Sequence, residues 1–170
     1  IVQSKSPVIH DAFAQQTGQQ LEYGAILAPI DGLKKALDTF FSNPDAKGCN
    51  VTMPFKEQAA EWVSELTNAA RLSGAVNTII RTSENHFIGD NTDGYGLVND
   101  LLRNDVAIKS SRILLLGAGG AARGVILPIL AESPEALVIA NRTVEKADNL
   151  VSLFADNRLS SCSFAEVDSG

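Results

Sequence analysis

Cysteine is scarce in this sequence: Cys49 and Cys162 are the only two, far apart and outside any C-x-x-C spacing. That speaks against a disulfide framework or a zinc cluster, so the expectation is a reduced, cytoplasmic protein with no metal site. No run of 18 or more apolar residues occurs, so no membrane span is expected. A signal-like leader is absent too, as is a starting methionine. The chain opens on Ile1-Val2, which reads as the tail of a strand and suggests a fragment. Basic residues are in the minority, 14 Lys and Arg against 20 Asp and Glu, for a net charge of -6. Nucleic acid and anionic membranes are therefore poor partners, and an anionic ligand must be held by local donors. His10 and His86 stand alone and suggest no catalytic geometry.

What remains is a globular composition, 45% hydrophobic and 20% charged, enough for one full domain or two small ones. Ser6-Pro7 reads as the start of a helix, with Ser6 as its cap, and Gly18 as its end. Residues 23–28 read as a buried strand. Asp31 is placed to cap a helix carrying Leu33, Ala36, Leu37, Phe40 and Phe41 on one face. A strand over 48–52 leads into a helix from Pro54 to Leu66. Strands over 75–81 and 86–88 flank the polar turn Thr82-Ser83-Glu84-Asn85, and 92–102 is helical. The polar break around 104–111 divides the chain into 1–103 and 104–170. Beyond it, 112–116 is an apolar strand. A helix over 121–131 contains Pro128 and should kink or end early there. A buried strand over 137–140 and a helix opened by Thr143 follow. The alternation predicts βαβα units with parallel sheets in both halves.

The segment I-L-L-L-G-A-G-G-A-A-R-G sets Gly117, Gly119 and Ala122 in a G-x-G-x-x-G/A pattern between a strand and a helix. There the first glycine makes a tight turn and the second admits a pyrophosphate close to backbone. The small third residue lets helix and strand pack, and the helix N-terminus faces the phosphates. Gly117, Ala118, Gly119, Gly120 and Ala121 form the candidate phosphate loop. No G-K-[ST] follows, which excludes a P-loop. At the tip of the next strand an NAD site would carry Asp or Glu for the ribose 2′-hydroxyl. This chain has Asn141, Arg142 and Thr143, then Lys146, a set suited to a 2′-phosphate and hence to NADP. Arg142 as a solvated strand end and Thr143 as a plain helix cap is the competing account.

The first half holds polar clusters at the ends of its elements: Ser4-Lys5-Ser6, the stretch from Asn50 to Lys56, and Gly89-Asp90-Asn91-Thr92-Asp93-Gly94. Asn77 is a further polar residue inside an apolar strand. Each has an ordinary structural account, as cap, dipole partner or buried hydrogen-bonder. Lys56 is the odd one, an ammonium set after Met53, Pro54 and Phe55 at the start of a helix.

Taken in order, S-K-S-P, N-V-T-M-P-F-K, G-A-V-N-T, G-D-N-T-D-G, G-A-G-G-A-A-R-G and N-R-T-x-x-K resemble the shikimate dehydrogenase family over nearly the whole chain. The resemblance implies a two-domain α/β enzyme: an α/β substrate-binding domain, then a Rossmann-type parallel-sheet NADP domain, with the active site between them. It implies NADP-dependent interconversion of 3-dehydroshikimate and shikimate. Ser4 and Ser6 would bind the substrate carboxylate, and Thr52, Asn77 and Asp93 its ring hydroxyls. Lys56 and Asp93 would form the catalytic pair. A homodimer is compatible with the family, and relatives extend beyond both ends of this chain. Chemistry agrees, because hydride transfer to a ketone leaves negative charge on oxygen, which an ammonium stabilises and protonates. Rival readings are a quinate/shikimate paralogue using NAD or NADP, and a non-catalytic homologue or inactive fragment.

Overall fold

The computed structural model describes residues 4–167, and the chain folds as two units that divide between Ser42 and Asn43. In the first, helix α1 (Ser6–Thr17) has Pro7 in its opening turn, where a missing N–H costs nothing. Lys5, not Ser6, occupies the cap position, and its side chain makes no cap bond. Gly18 ends α1 in the left-handed region at φ 67°, as its place in the sequence suggests. Helix α2 (Leu33–Phe41) buries Leu33, Leu37 and Phe41, a stripe at four-residue spacing, and is preceded by Gly32 where Asp31 was expected to cap. The strand expected over 23–28 does not form. Neither sheet takes the segment in, and Leu27 is 82% exposed. A short apolar run reports hydrophobicity, but a strand also needs a partner for its backbone.

The second unit contains two sheets. Its first half runs through β1 (Gly48–Asn50), α3 (Lys56–Trp62), β2 (Glu65–Leu66), α4 (Asn68–Ser73), β3 (Thr78–Ser83), β4 (His86–Asp90) and α5 (Asp93–Arg103). The sheet order is β1-β3-β4-β2. This sheet is mixed, not parallel: β3 runs antiparallel to β1 and β4, and only β2 runs parallel to β4. The tight turn at Glu84-Asn85 folds the chain back beside itself, which only antiparallel strands allow. The single helix expected from Pro54 to Leu66 is also corrected. The cis Met53-Pro54 bond sits in a turn closed by the Phe55 N–H on the Thr52 carbonyl at 3.0 Å, so α3 begins at Lys56. Glu65 and Leu66 leave the helix to pair with Ile88 and Gly89.

The later half is the expected parallel alternation: β5 (Arg112–Leu116), α6 (Gly120–Ala131), β6 (Ala136–Ala140), α7 (Val144–Phe154), β7 (Leu159–Cys162) and α8 (Phe164–Val167), with sheet order β5-β6-β7. Its core joins Val98 of α5, Val125, Ile126 and Ile129 of α6, Leu137 and Ile139 of β6, and Leu150 of α7. Helix α6 continues through Pro128 to Ala131 instead of ending early. Pro128 cannot donate to the carbonyl of Gly124 four residues back, and α5 comes up against that carbonyl at Gly94.

Two features of this half carry predictions. Strand β5 is an edge strand whose Leu116 is 66% exposed, and unpaired apolar edges favour association. The 170-residue chain on its own is expected to self-associate, and Leu116→Lys should shift it toward monomer in light scattering. Separately, Arg158 grips Asp156 at 2.7 and 2.9 Å and donates to the Leu130 carbonyl at 2.9 Å, tying the turn before β7 to the end of α6. The Arg158 hydrogen bonds hold the Asp156 carboxyl down to about 2. A depressed carboxyl contributes stability that is complete above its unfolded pKa near 4 and is lost as pH falls toward 2. Asp156→Asn should therefore cost about 1 kcal/mol at neutral pH, a figure discounted for solvent screening, with the difference vanishing near pH 2 in denaturant melts.

Candidate active site

Lys56, Asn77 and Asp93 come from three separate segments and converge. Strand β1 pairs with β3, which places the Val51 N–H on the Asn77 carbonyl at 2.8 Å. The Val76 N–H in turn donates to the carbonyl of Lys56 at 2.8 Å, fixing the first turn of α3 beside the start of β3. From there the Lys56 Nζ reaches Asp93 Oδ2 at 2.5 Å, and Asn77 Nδ2 donates to Asp93 Oδ1 at 2.7 Å. Lys56 is only 25% exposed and Asp93 53%, so the pair stands at a wall open on one side. Met53 is 78% exposed, so it forms no apolar floor that could aim the lysine. The carboxylate aims it.

Asn77 is heavily committed. Its Oδ1 accepts from the Thr92 N–H at 3.1 Å, the Thr92 hydroxyl at 3.3 Å and the Thr78 hydroxyl at 2.9 Å. One amide hydrogen remains beyond the bond to Asp93, enough for one ligand hydroxyl. Thr52 is exposed at the turn before α3, and Phe55, not Thr52, occupies the cap position of that helix. Ser4 and Ser6 belong to the first unit, where the Ser6 N–H donates to the Ser4 hydroxyl at 3.3 Å and Ser6 opens α1.

Sequence reasoning missed the residues that hold Asp93 from below. Asn91 is buried: its amide donates to the Ser73 hydroxyl and the Ala75 carbonyl, both at 3.1 Å, and its Oδ1 accepts the Asp93 N–H at 3.1 Å. Asp90 accepts from the Thr67 hydroxyl at 2.5 Å and from the Asn91 N–H at 2.8 Å. Their membership in one polar cluster was visible, but which of them face inward was not. Asn91→Leu takes the side-chain acceptor from the Asp93 N–H and one donor each from the Ser73 hydroxyl and the Ala75 carbonyl, which keep their bond to one another, so it should cost about 1–3 kcal/mol in a denaturant melt. Cys49 is no hidden nucleophile, because burial pushes its thiol up to about 11.

The glycine segment is built for a phosphate. Gly117 has φ 106°, a conformation that side chains rarely adopt, and its N–H bonds the Ala140 carbonyl at 2.7 Å. Gly119 and Gly120 start α6, and a Cβ at either would meet nothing within 4 Å, so the space over the helix N-terminus is open. Ala118 is half-buried, Ala121 exposed, and Ala122 buried as the small third residue should be. At the tip of β6, Arg142, Thr143 and Lys146 are exposed, and Asn141 bonds back to the Thr143 carbonyl at 2.8 Å. Thr143 sits at the cap position of α7 without a side-chain cap bond, which leaves its hydroxyl available to a ligand. These residues fit a dinucleotide with a 2′-phosphate, since no carboxylate stands at the strand tip.

Two family models match: the shikimate dehydrogenase substrate binding domain over residues 1–79, and shikimate / quinate 5-dehydrogenase over 100–169. A shikimate dehydrogenase (NADP(+)) of Photobacterium profundum is 55% identical over 99% of this chain. The chain belongs to the shikimate dehydrogenase family. It spans about 60% of the length of that relative. Among solved structures, an Ael1 enzyme from Pseudomonas putida matches with TM-score 0.94 and 39% identity, over 99% of this chain and 62% of the other. Shikimate 5-dehydrogenase from Thermus thermophilus in complex with NADP(H) and shikimate matches with TM-score 0.80 and 30% identity, over 94% and 58%. In a family of shikimate dehydrogenases, the convergence of Lys56, Asn77 and Asp93 is the arrangement to explain.

Proposed function

We propose that the whole protein is an NADP-dependent oxidoreductase that interconverts 3-dehydroshikimate and shikimate. The observation that carries this reading is the ion pair between Lys56 and Asp93, braced by Asn77, in the same folded unit as a glycine turn with open space above it. NADP supplies or takes the hydride when bound. Lys56 sits where its ammonium protonates the oxygen that gains charge in the reduction, or takes that proton back in the oxidation. Asp93 holds the amine in place and, with the spare lone pairs of its carboxylate, accepts a ring hydroxyl. Asn77 fixes the rotamer of Asp93 and offers its remaining amide hydrogen. Thr52 supplies a further hydroxyl, and Ser4 and Ser6 take the carboxylate. Gly117 to Ala121 take the pyrophosphate, and Asn141, Arg142, Thr143 and Lys146 the 2′-phosphate. Residues 1–103 would serve as the substrate half and 104–170 as the cofactor half. The compartment we assign is the cytoplasm, consistent with two free cysteines; among the described residues no helix is long and apolar enough to cross a membrane.

The direct test uses the full-length protein and nicotinamide absorbance, crossing shikimate and quinate with NADP and NAD. Turnover dominated by shikimate with NADP is expected. Preference for quinate or for NAD identifies a paralogue, and absence of turnover in all four combinations identifies a non-catalytic relative. The cofactor assignment has its own variant. Arg142→Asp sets a carboxylate beside the 2′-phosphate and removes a charge-assisted bond worth about 1.5–3 kcal/mol. KM for NADP should rise roughly 10–150-fold while KM for NAD changes little. Equal losses for both cofactors would show that Arg142 does not read the phosphate.

A further inference from the structure

We propose that Arg123 and Gly94 are positioning residues that fix the register between helix α6 and Asp93. An arginine in the first turns of a helix after a glycine loop is naturally read as a phosphate ligand. Here Arg123 turns the other way. Its Nε donates to the carbonyl of Leu72, one of the last carbonyls of α4. A cation at a helix C-terminus is favoured by the helix dipole and satisfies a carbonyl that has no partner within the helix. Gly74 ends α4 at φ 69°, and a Cβ there would lie 3.2 Å from Arg123 Nη1, so the guanidinium rests against that cap.

The place where Arg123 docks leads straight to the catalytic carboxylate. Next to Leu72 is Ser73, whose hydroxyl accepts from Asn91 Nδ2, and Asn91 Oδ1 accepts the N–H of Asp93. The second contact is made by the residue after Asp93. Gly94 is buried, and a Cβ at this position would fall 2.2 Å from the Gly124 carbonyl oxygen and 2.8 Å from Pro128 Cγ. Pro128 is the residue whose missing N–H leaves the Gly124 carbonyl without its helical donor, so the start of α5 lies against α6 backbone to backbone. One helix is therefore docked both on α4, whose Ser73 bonds Asn91, and on α5, whose first residue is Asp93. If the proposed reaction is right, on which this inference rests, the N-terminus of α6 holds the hydride carrier and Asp93 with Lys56 holds its partner. Their separation is then set by these two contacts. A misplacement of about 1 Å can cost roughly 10²-fold in rate.

The test uses full-length Gly94→Ala, Arg123→Met and Arg123→Lys. It measures kcat, both KM values, NADPH affinity by fluorescence, and the primary isotope effect with deuterium at the transferred position. We expect kcat to fall roughly 10–100-fold in Gly94→Ala and about 10-fold in Arg123→Met, with NADPH affinity within about threefold of wild type. The isotope effect on kcat should rise, because the hydride step has become slower, and Arg123→Lys should recover part of the loss. Should Gly94→Ala fail to fold, Arg123→Met carries the same measurement, since the buried face of α6 is untouched. A fall in kcat with an unchanged isotope effect means fewer active molecules and overturns the positioning role. So does kcat within about twofold of wild type in both folded variants. A wild-type protein without shikimate turnover sinks the reaction itself, and this inference with it.

Discussion

In the full-length protein, under the proposed reaction, Lys56→Ala is expected to lower kcat by about 10²–10⁴-fold while KM for shikimate moves little. The amine stands 2.5 Å from Asp93 and only a quarter exposed, so it is held in one place before any substrate arrives. Such a group contributes most where charge develops, on the oxygen that receives the electron pair during reduction. The proposed ground-state contacts, through Ser4, Ser6, Thr52 and Asn77, survive the substitution, which is why KM should stay near its original value. Truncation also leaves Asp93 with the Asn77 bond and room for water, so the fold should hold and thermal stability change little. An added small primary amine should restore part of the rate. A kcat within a few-fold of wild type would remove Lys56 from the mechanism and leave it a surface ion pair, of a kind worth little to stability.

How far these residues were legible beforehand depends on what kind of fact each one is. Lys56 and Asp93 stood out as polar residues at ends of elements and Asn77 as a polar residue inside an apolar strand, and the structure brings the three into one cluster. The glycine turn was readable because a positive φ at Gly117 and an open helix start at Gly119 and Gly120 are backbone demands that glycine answers. Pairing was harder. The run at 23–28 looked like a strand because apolar residues cluster there, yet nothing local says whether a partner exists to complete its ladder. The helix expected to reach Leu66 stopped at Trp62 because Glu65 and Leu66 pair with β4, a tertiary choice that propensity does not carry. The burial of Asn91 was invisible for a related reason: a buried amide and an exposed one share the same letter. Only the positions of Ser73 and Ala75 show that Asn91 faces inward.

Asp93→Asn is the second change expected to have a large effect, and it acts differently from the loss of the lysine. An asparagine can still accept the Asn77 amide through its oxygen, so that bond at 2.7 Å has a replacement. Its other terminal atom becomes an NH2 facing the Lys56 ammonium, donor against donor, where a carboxylate oxygen had been at 2.5 Å. The amine then loses the partner that aims it. We expect kcat to fall about 10²-fold or more, in the range of lost acid–base assistance. KM for shikimate should also rise, since the carboxylate that would accept a ring hydroxyl is gone. Such a hydrogen bond to a charged group is worth about 1.5–3 kcal/mol, so the rise should be roughly 10–150-fold. Combining the two substitutions decides whether they act as one device. If Lys56 works only when Asp93 holds it, the double variant should lose far less than the product of the single losses. Multiplied losses would mean that the two residues contribute separately, and the ion pair seen here would then be a neighbourly contact with no share in the proton transfer.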